Sequence, residues 1–317
     1  MPGEMEMRFA KLMFTLCFPE GGQVPERKES ALRGGLGNML LAQNCVGDRD
    51  CPSCSFREDC LAQRIMYAPY RIRPSYVTRE SMGFMLFCPD RRTRLFPGDE
   101  VRFSLTLFGP PIAYFAPLLH ALYAFGKKGL GVREARFFIS KIENRAGEAI
   151  LDGEVIRMDR YRVETAADYA REREEDFPED PARVRLHFLS PLSVKYQSQF
   201  INRFDRDTAA GVVNAICRKV HMLMLFEGVS AAESVFAPDV DYIYLGGHTV
   251  REQSERYSST AGGKTPLRGI SGWMELEVKN RELMRVLAAG ELASPGKNTR
   301  FGFGVYRMER GGLRCGS

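Results

Sequence analysis

No stretch of the 317-residue chain approaches the ~18 uninterrupted apolar residues that a membrane-spanning helix needs. Its opening, MPGEMEMRFAKLMFTLCFPE, sets two acids ahead of a short apolar run, unlike an export signal, so a cytoplasmic location with no membrane partner is expected. Eight cysteines are too few for a disulfide scaffold. Neither sign of charge dominates, since 45 Lys and Arg stand against 40 acids for a net +5, which permits a polyanionic partner without demanding one. Neither of the two common phosphate motifs is present. There is no G-x-x-x-x-G-K-[ST] stretch, and the richest glycine cluster precedes a strand, where a dinucleotide site needs it after one. What remains, 44% hydrophobic and 27% charged, is the composition of a globular chain long enough for two domains.

The apolar pattern repeats one order of elements twice. Residues 8–18 read as a strand and 30–43 as a helix through Leu32, Leu36, Met39 and Leu40. Strands follow at 84–87 and at 101–108, where Val101, Phe103, Leu105 and Leu107 alternate with polar residues. A helix over 112–125 and a strand over 135–142 complete the set. Residues 152–182 are dense in charge and poor in aliphatics, and read as a solvated connector. Beyond it come a strand at 184–194, a helix at 201–226, strands at 241–245 and 269–278, a helix at 280–292 with Asn280 as N-cap, and a strand at 305–308. The prediction is therefore α+β: tandem ferredoxin-like domains over 1–151 and 183–317, each with a sheet face free of helices, the face that takes single-stranded bases in RNA-recognition modules of this topology.

Two local patterns carry chemistry. Cys45, Cys51, Cys54 and Cys60 crowd into sixteen positions as C-x5-C-x2-C-x5-C, while Cys17, Cys88, Cys217 and Cys315 are scattered and read as buried or incidental thiols. Four thiolates at this spacing suit a closed structural site, with zinc the first expectation, an iron–sulfur cluster the second, and reduced thiols in a plain loop the alternative. A DNA-binding finger is disfavoured, because no basic recognition helix with its own ligands follows. The second pattern is SPGKNTRFGFGVYRM, residues 294–308, where Gly296, Gly302 and Gly304 surround Lys297 and Arg300 between a helix and a strand. Unhindered amides and two cations there are expected to cradle phosphate.

On these residues the chain resembles the CRISPR repeat-processing endoribonucleases of the RAMP superfamily. RYSSTAGGKTPLRGISGWMELEV (256–278), the helix through Leu283 and Leu287, and GKNTRFGFGVYRM look like that family's C-terminal domain. SALRGGLGNML, the cysteine cluster ending CLAQRIMYAP, FSLTLFG and GKKGLGVREARFFI resemble the subgroup with a cysteine insertion. The resemblance implies metal-independent cleavage of precursor RNA by 2′-hydroxyl attack, leaving a 2′,3′-cyclic phosphate and mature crRNA, with no catalytic cofactor and with CRISPR repeat RNA and effector-complex proteins as partners. Many relatives carry a histidine on the first helix, whereas here the first histidine in the chain is His120. That departure keeps open a second reading, a non-catalytic crRNA-binding subunit.

The four histidines are weighed separately. His120, His187 and His221 sit among apolar neighbours and read as structural, whereas His248 follows Gly246-Gly247 in a polar stretch expected at an exposed hairpin tip. His248 is the candidate general base or acid, with Tyr257, Lys28 and Arg33 as reserves, since relatives lacking the histidine can work by positioning and cationic stabilisation. Arg256, Ser258, Lys264, Arg268, Lys297 and Arg300, with Gly296, Gly302 and Gly304, are the expected RNA-binding set. Tyr257, Phe301 and Phe303 are candidates to stack bases, and Lys127-Lys128 and Arg91-Arg92 read as solvated faces.

Overall fold

The computed structural model describes residues 5–73, 83–131, 133–229, 241–258 and 263–312, with backbone alone for 254–258 and 263–265. The chain divides into two compact units. One holds Arg8–Glu164 and Phe226–Gly228, the other Met1–Met7, Thr165–Leu225 and Val229–Ser317.

In the first unit the order is β1 (Arg8–Phe18), α1 (Glu29–Asn44), α2 (Leu61–Met66), β2 (Phe84–Phe87), β3 (Asp99–Phe108), α3 (Phe115–Lys128) and β4 (Phe138–Asn144). A hairpin of β5 (Ala149–Asp152) and β6 (Val155–Ile156) extends the sheet edge. The strands lie in the order β2-β3-β1-β4-β5-β6, and β2, β3, β1 and β4 pair antiparallel as in a ferredoxin-like domain. Alternation decides the faces. Leu12, Phe14 and Leu16 stand opposite Leu105, Phe103 and Val101, and all six are buried in one apolar core with Leu32, Leu36 and Leu40 of α1 and Leu118, Leu122 and Phe125 of α3. Gly35 permits the helix contact, since a Cβ there would fall 2.1 Å from the Phe125 ring.

The second unit repeats the plan: α4 (Ala166–Glu175), β7 (Ala182–Leu192), the small hairpin β8 (Lys195–Tyr196) and β9 (Gln199–Phe200), α5 (Arg206–Glu227), β10 (Tyr242–Ser258), β11 (Gly263–Val278), α6 (Arg281–Ala293) and β12 (Tyr306–Arg310). Its sheet runs β10-β11-β7-β12, the same order as β2-β3-β1-β4. The chain is thus a tandem of ferredoxin-like folds. Helix α5 has the length and mean hydropathy of a membrane span, yet 78% of its most apolar window is buried, as in a core helix.

Two departures from the sequence reading have physical causes. Residues 152–182 carry α4 in addition to short strands. Thr165 caps it by accepting from the Asp168 N–H at 3.1 Å, its few apolar residues Ala166, Tyr169 and Ala170 fall on one buried stripe, and Glu291 of α6 accepts from Tyr169 Oη at 2.7 Å and Arg173 Nε at 2.9 Å. Average polarity hid that stripe. In place of two short strands, β10 and β11 pair over a long ladder from Tyr242↔Val278 to Ser258↔Gly263, shifted once at Tyr244–Gly246, because Gly246, Gly247, Gly269 and Gly272 interrupt the apolar pattern without ending the ladder.

Lys28 and Glu29 at the start of α1 are both 0% exposed. Lys28 Nζ donates to the Asp90 carbonyl at 3.0 Å, the Asp90 carboxylate at 3.1 Å and the Arg92 carbonyl at 2.8 Å, and the Glu29 carboxylate receives Arg91 at 3.2 Å. Half-buried Arg91 and Asp90 are therefore an ion-paired clamp on the start of α1, whereas Arg92 stays exposed and pairs with Asp90 and Asp99. Burial would raise the Asp90 carboxyl, but hydrogen bonds from Arg92 and Lys28 hold it below its ordinary value. A carboxylate so depressed stabilises fully above the usual carboxylate range and loses that contribution as pH falls through its folded value. Asp90→Ala, which leaves the buried Lys28 ammonium with carbonyl acceptors but no counter-ion, is expected to cost about 3 kcal/mol in the urea unfolding of the first unit at pH 7. The loss should shrink in acid, where wild-type Asp90 is itself protonated; an unchanged midpoint at pH 7 would disprove the clamp.

Candidate nucleic-acid interface

Buried Val184, Leu186 and Phe188 turn one face of β7 to the helices, so the residues between them point to the bare side. There the register lines up four side chains across the sheet: Arg307 opposite His187, His187 opposite Trp273, and Trp273 opposite His248. Cross-strand partners share a face, so guanidinium, imidazole, indole and imidazole form one row on the helix-free side. His187 Nδ1 lies 3.0 Å from Glu309 Oε1, and the Arg185 guanidinium rests 4.3 Å from the Trp273 ring centroid while Arg185 Nη2 donates to Glu275 at 3.0 Å. His248 is exposed. It is not at a hairpin tip, however, but in the middle of β10 beside the bulge at Tyr244–Gly246. His187, read from sequence as structural, stands half-exposed on this same face, while His221 is buried and His120 is exposed on α3. A period-two count along β7 carried the signal, because His187 falls between two core positions.

The glycine-rich loop lies on the segment that leaves β7. Ser294 ends α6 at φ +50°, and Gly296, Asn298, Gly302 and Gly304 all have positive φ. A Cβ at Gly304 would lie 2.1 Å from the Pro295 carbonyl oxygen and one at Gly296 would lie 2.7 Å from that of Ser193, so both positions require glycine. The amides are largely spent on the fold: Lys297 N–H donates to Ser193 at 2.7 Å, Gly304 N–H to Pro191 at 2.9 Å, Phe301 N–H to Asn298 and Gly302 N–H to Thr299. The glycines thus shape the loop, and its outward chemistry is the exposed Lys297 and the half-buried Arg300. Phe303 is 1% exposed and belongs to the core, which removes it as a stacking residue.

One group was missed in the sequence. The hairpin β8–β9 lifts Phe200 out to 54% exposure, with Lys195 Nζ at 5.1 Å and Lys297 Nζ at 5.6 Å from its ring centroid. An exposed ring between two ammonium groups offers a base a π-face and its flanking phosphates two cations. Only distance in sequence concealed it, since residues 195 and 297 meet through the loop's docking on 191–193. Exposed Arg251 and Arg268 lie near this end of the sheet, one facing Ile270 and the other Gln253 in the β10–β11 ladder. Arg256, Tyr257, Ser258 and Lys264 belong to the same hairpin, Tyr257 pairing with Lys264 and Ser258 with Gly263, but their side chains lie outside the described residues.

The two candidates on α1 belong to the other unit. Lys28 spends all three donors inside the fold, as given above, and so has none for RNA. Arg33 lies 5.6 Å over the Tyr67 ring, and its Nε and one Nη are buried without a hydrogen-bond partner among the described residues. The cysteine quartet joins α1 to α2 and lines one small cavity. Among the described residues no three His, Cys, Asp or Glu side chains stand close enough to hold a metal, and zinc is not shown. Cys88 and Cys217 are buried, Cys17 is half-buried, and Cys315 lies outside the described residues. Burial pushes the Cys88 thiol up to about 11, which makes it inert at neutral pH.

Phe200→Ala is expected to weaken binding of single-stranded RNA by about 1–3 kcal/mol, as loss of one stacked base should. Lys297→Ala should weaken it with little regard to sequence and lower the salt slope by about one. Fluorescence anisotropy titrations at several salt concentrations read both; wild-type affinity and slope in both variants would make this corner structural only.

Comparison with known proteins agrees with the geometry. Residues 186–306 match the family model of the CRISPR-associated endoribonuclease Cas6, and residues 7–167 match a family model described as an N-terminal domain. Among solved structures, a chain of a partial Cas6-RT-Cas1–Cas2 complex superposes at TM-score 0.58 with 12% identity, covering 98% of this chain and 47% of its own. A Cas6 product complex gives 0.54 with 16% identity over 96% of this chain and 100% of its own, and Thermus thermophilus Cas6 gives 0.50 with 14% identity over 96% and 99%. The chain spans about half or less of the first two relatives, 47% of one and 30% of the other. At these identities the likeness is one of fold. No curated protein matches. The two family models meet on a tandem ferredoxin-like chain whose C-terminal fold ends in the glycine-rich loop, and it is this C-terminal part, residues 186–306, that matches the CRISPR-associated endoribonuclease Cas6.

Proposed function

We propose that this protein cuts CRISPR precursor RNA within the repeat, by attack of the 2′-hydroxyl on the adjacent phosphate, and releases a 2′,3′-cyclic phosphate and mature crRNA. The observation that carries this reading is the row of His248, Trp273, His187 and Arg307 on the helix-free face of the fold that matches Cas6. An imidazole titrates near pH ~6.5 and can exchange a proton at neutral pH, where Lys and Tyr near ~10 mostly cannot. His248, exposed and in line with Trp273, is assigned as the base that takes the 2′-proton, with Tyr257 as its reserve. Lys297, Arg300 and Arg268 are assigned to the phosphate backbone, together with Arg256, Ser258 and Lys264 of the long hairpin. The glycine-rich loop lies on 191–193, and Leu192 faces Ile270, three residues or about 10 Å of strand from Trp273. A strand of RNA lying on the sheet would therefore meet the cations and the imidazole in succession. Arg33, with two buried donors unpaired among the described residues, is the reserve cation assigned to a phosphate on the first unit.

We assign a structural zinc to Cys45, Cys51, Cys54 and Cys60 and give it no part in the cut, since four thiolates leave no open position for water. Repeat RNA is the substrate in this reading. The Cas1–Cas2-containing complexes among the solved relatives support a second class of partner, CRISPR proteins, in the cytoplasm.

A non-catalytic crRNA-binding subunit is the second reading, favoured by the absence of histidine from α1 and by the full internal use of Lys28. Labelled repeat RNA incubated with the protein in EDTA separates the two: one cut leaving a cyclic phosphate supports the enzyme, and tight binding with intact RNA supports the subunit. In the enzyme, His248→Ala is expected to slow single-turnover cleavage ~10²–10⁴-fold with affinity within a few-fold, because general acid–base help acts on the transition state. A rate within threefold of wild type would remove His248 from the mechanism.

A further inference from the structure

The two units repeat more than the order of their elements. In the second, the loop between α6 and β12 docks on the residues leaving β7, and beside it stands the exposed ring of Phe200 with two ammonium groups. In the first, the corresponding stretch is GKKGLGVREARF, residues 126–137, the end of α3 and the loop that leads to β4. Leu130 and Ala135 exchange backbone hydrogen bonds at 2.8 and 3.1 Å, and Phe137 N–H donates to Gly126 at 3.0 Å, so the loop is closed on itself. It docks on the residues leaving β1: a Cβ at Gly131 would lie 3.1 Å from Pro25 Cδ, and one at Gly22 would lie 2.8 Å from Ala135 Cβ.

Gly22 and Gln23 pair in turn with Leu95 and Arg94. Just past that pair comes Phe96, whose N–H donates to the Asp99 carboxylate at 2.8 Å and whose ring is 62% exposed, with the Arg94 guanidinium 5.5 Å from its centroid. Each unit therefore sets an exposed ring and a cation on the exit from its first strand, beside the loop that enters its last. Arg94, Lys127, Lys128, Arg133 and Arg136 are all exposed at this end of the first unit, and none of the five makes a salt bridge or a side-chain hydrogen bond among the described residues. Three exposed carboxylates, Glu20, Glu26 and Glu134, share the surface, while Asp99 is taken up by Arg92 at 3.2 Å. Five cations against three free acids leave an excess that repels itself and suits a polyanion. A ring with an unpaired cation over it offers a base a π-face and its phosphate a charge.

We propose that this end of the first unit is a second contact for single-stranded RNA, in which Phe96 stacks on one base while Arg94 and the cations of residues 127–136 take the phosphates beside it. Stacking and phosphate contacts carry no base code, so the contact tolerates any sequence. The inference rests on RNA being the ligand of this protein and is independent of whether the chain cuts it.

The test is a fluorescence anisotropy titration of the full-length protein with labelled repeat RNA at several salt concentrations. Phe96→Ala should raise Kd at least ~5-fold, and Phe96→Tyr, which keeps the ring, by less than about twofold. Arg94→Ala, and Lys127→Ala combined with Lys128→Ala, should each lower the salt slope by about 0.7 or more, as the loss of a phosphate contact on a single strand should. Wild-type affinity and slope in all these variants, in a protein that binds the RNA, overturn this contact and leave RNA as the ligand. Equal losses in Phe96→Ala and Phe96→Tyr, with a lowered urea midpoint in both, give the ring a packing role and likewise overturn it. A wild-type protein that does not bind the RNA overturns both readings.

Discussion

Two helices can cover only one side of a four-stranded sheet, and the whole molecule follows from that constraint. In each unit the strand order puts the first and third strands of the motif at the centre, and both helices return across the same face to bury the alternate residues Leu12, Phe14 and Leu16, or Val184, Leu186 and Phe188. The residues in between have no hydrophobic partner to meet. They are left to water or to a ligand, and in the second unit they include two imidazoles, an indole and the guanidinium groups of Arg185 and Arg307.

Where the sequence was legible, the signal was periodicity. The alternation in 101–108 and the helical stripe of α3 specify the first unit without further help, and the same order recurring after residue 182 specifies the second. Where it was not, a local rule was outweighed by a partner far away in the chain. Helix α4 is too polar to be seen alone, and becomes a helix because Glu291, 122 residues from Tyr169, accepts its hydrogen bonds. The long β10–β11 hairpin survives four glycines because its ladder is backbone to backbone. Lys28 offers an ammonium to any reading of a phosphate site until Asp90 and Arg92, sixty residues on, are seen to consume it.

The glycine-rich loop shows the same division within one motif. Its pattern was readable, and its position after a helix and before a strand was right, but the direction of its amides was not. They turn inward to Pro191 and Ser193, which makes the loop a rigid mount for two cations and leaves little of it as a backbone cradle. Rigidity of that kind reduces the conformational entropy a binding site loses when it meets its ligand, and it is also what brings Lys297 to the ring of Phe200.

Trp273 is the only tryptophan in the chain. It sits in the centre of the helix-free row, half-exposed, with the Arg185 guanidinium against its ring and an imidazole on either side. All of the protein's indole fluorescence therefore originates at this one point of the sheet. Indole emission responds to whatever stacks on the ring, so the native chain is its own optical gauge of what occupies that face, with no dye to attach and no second indole in the chain.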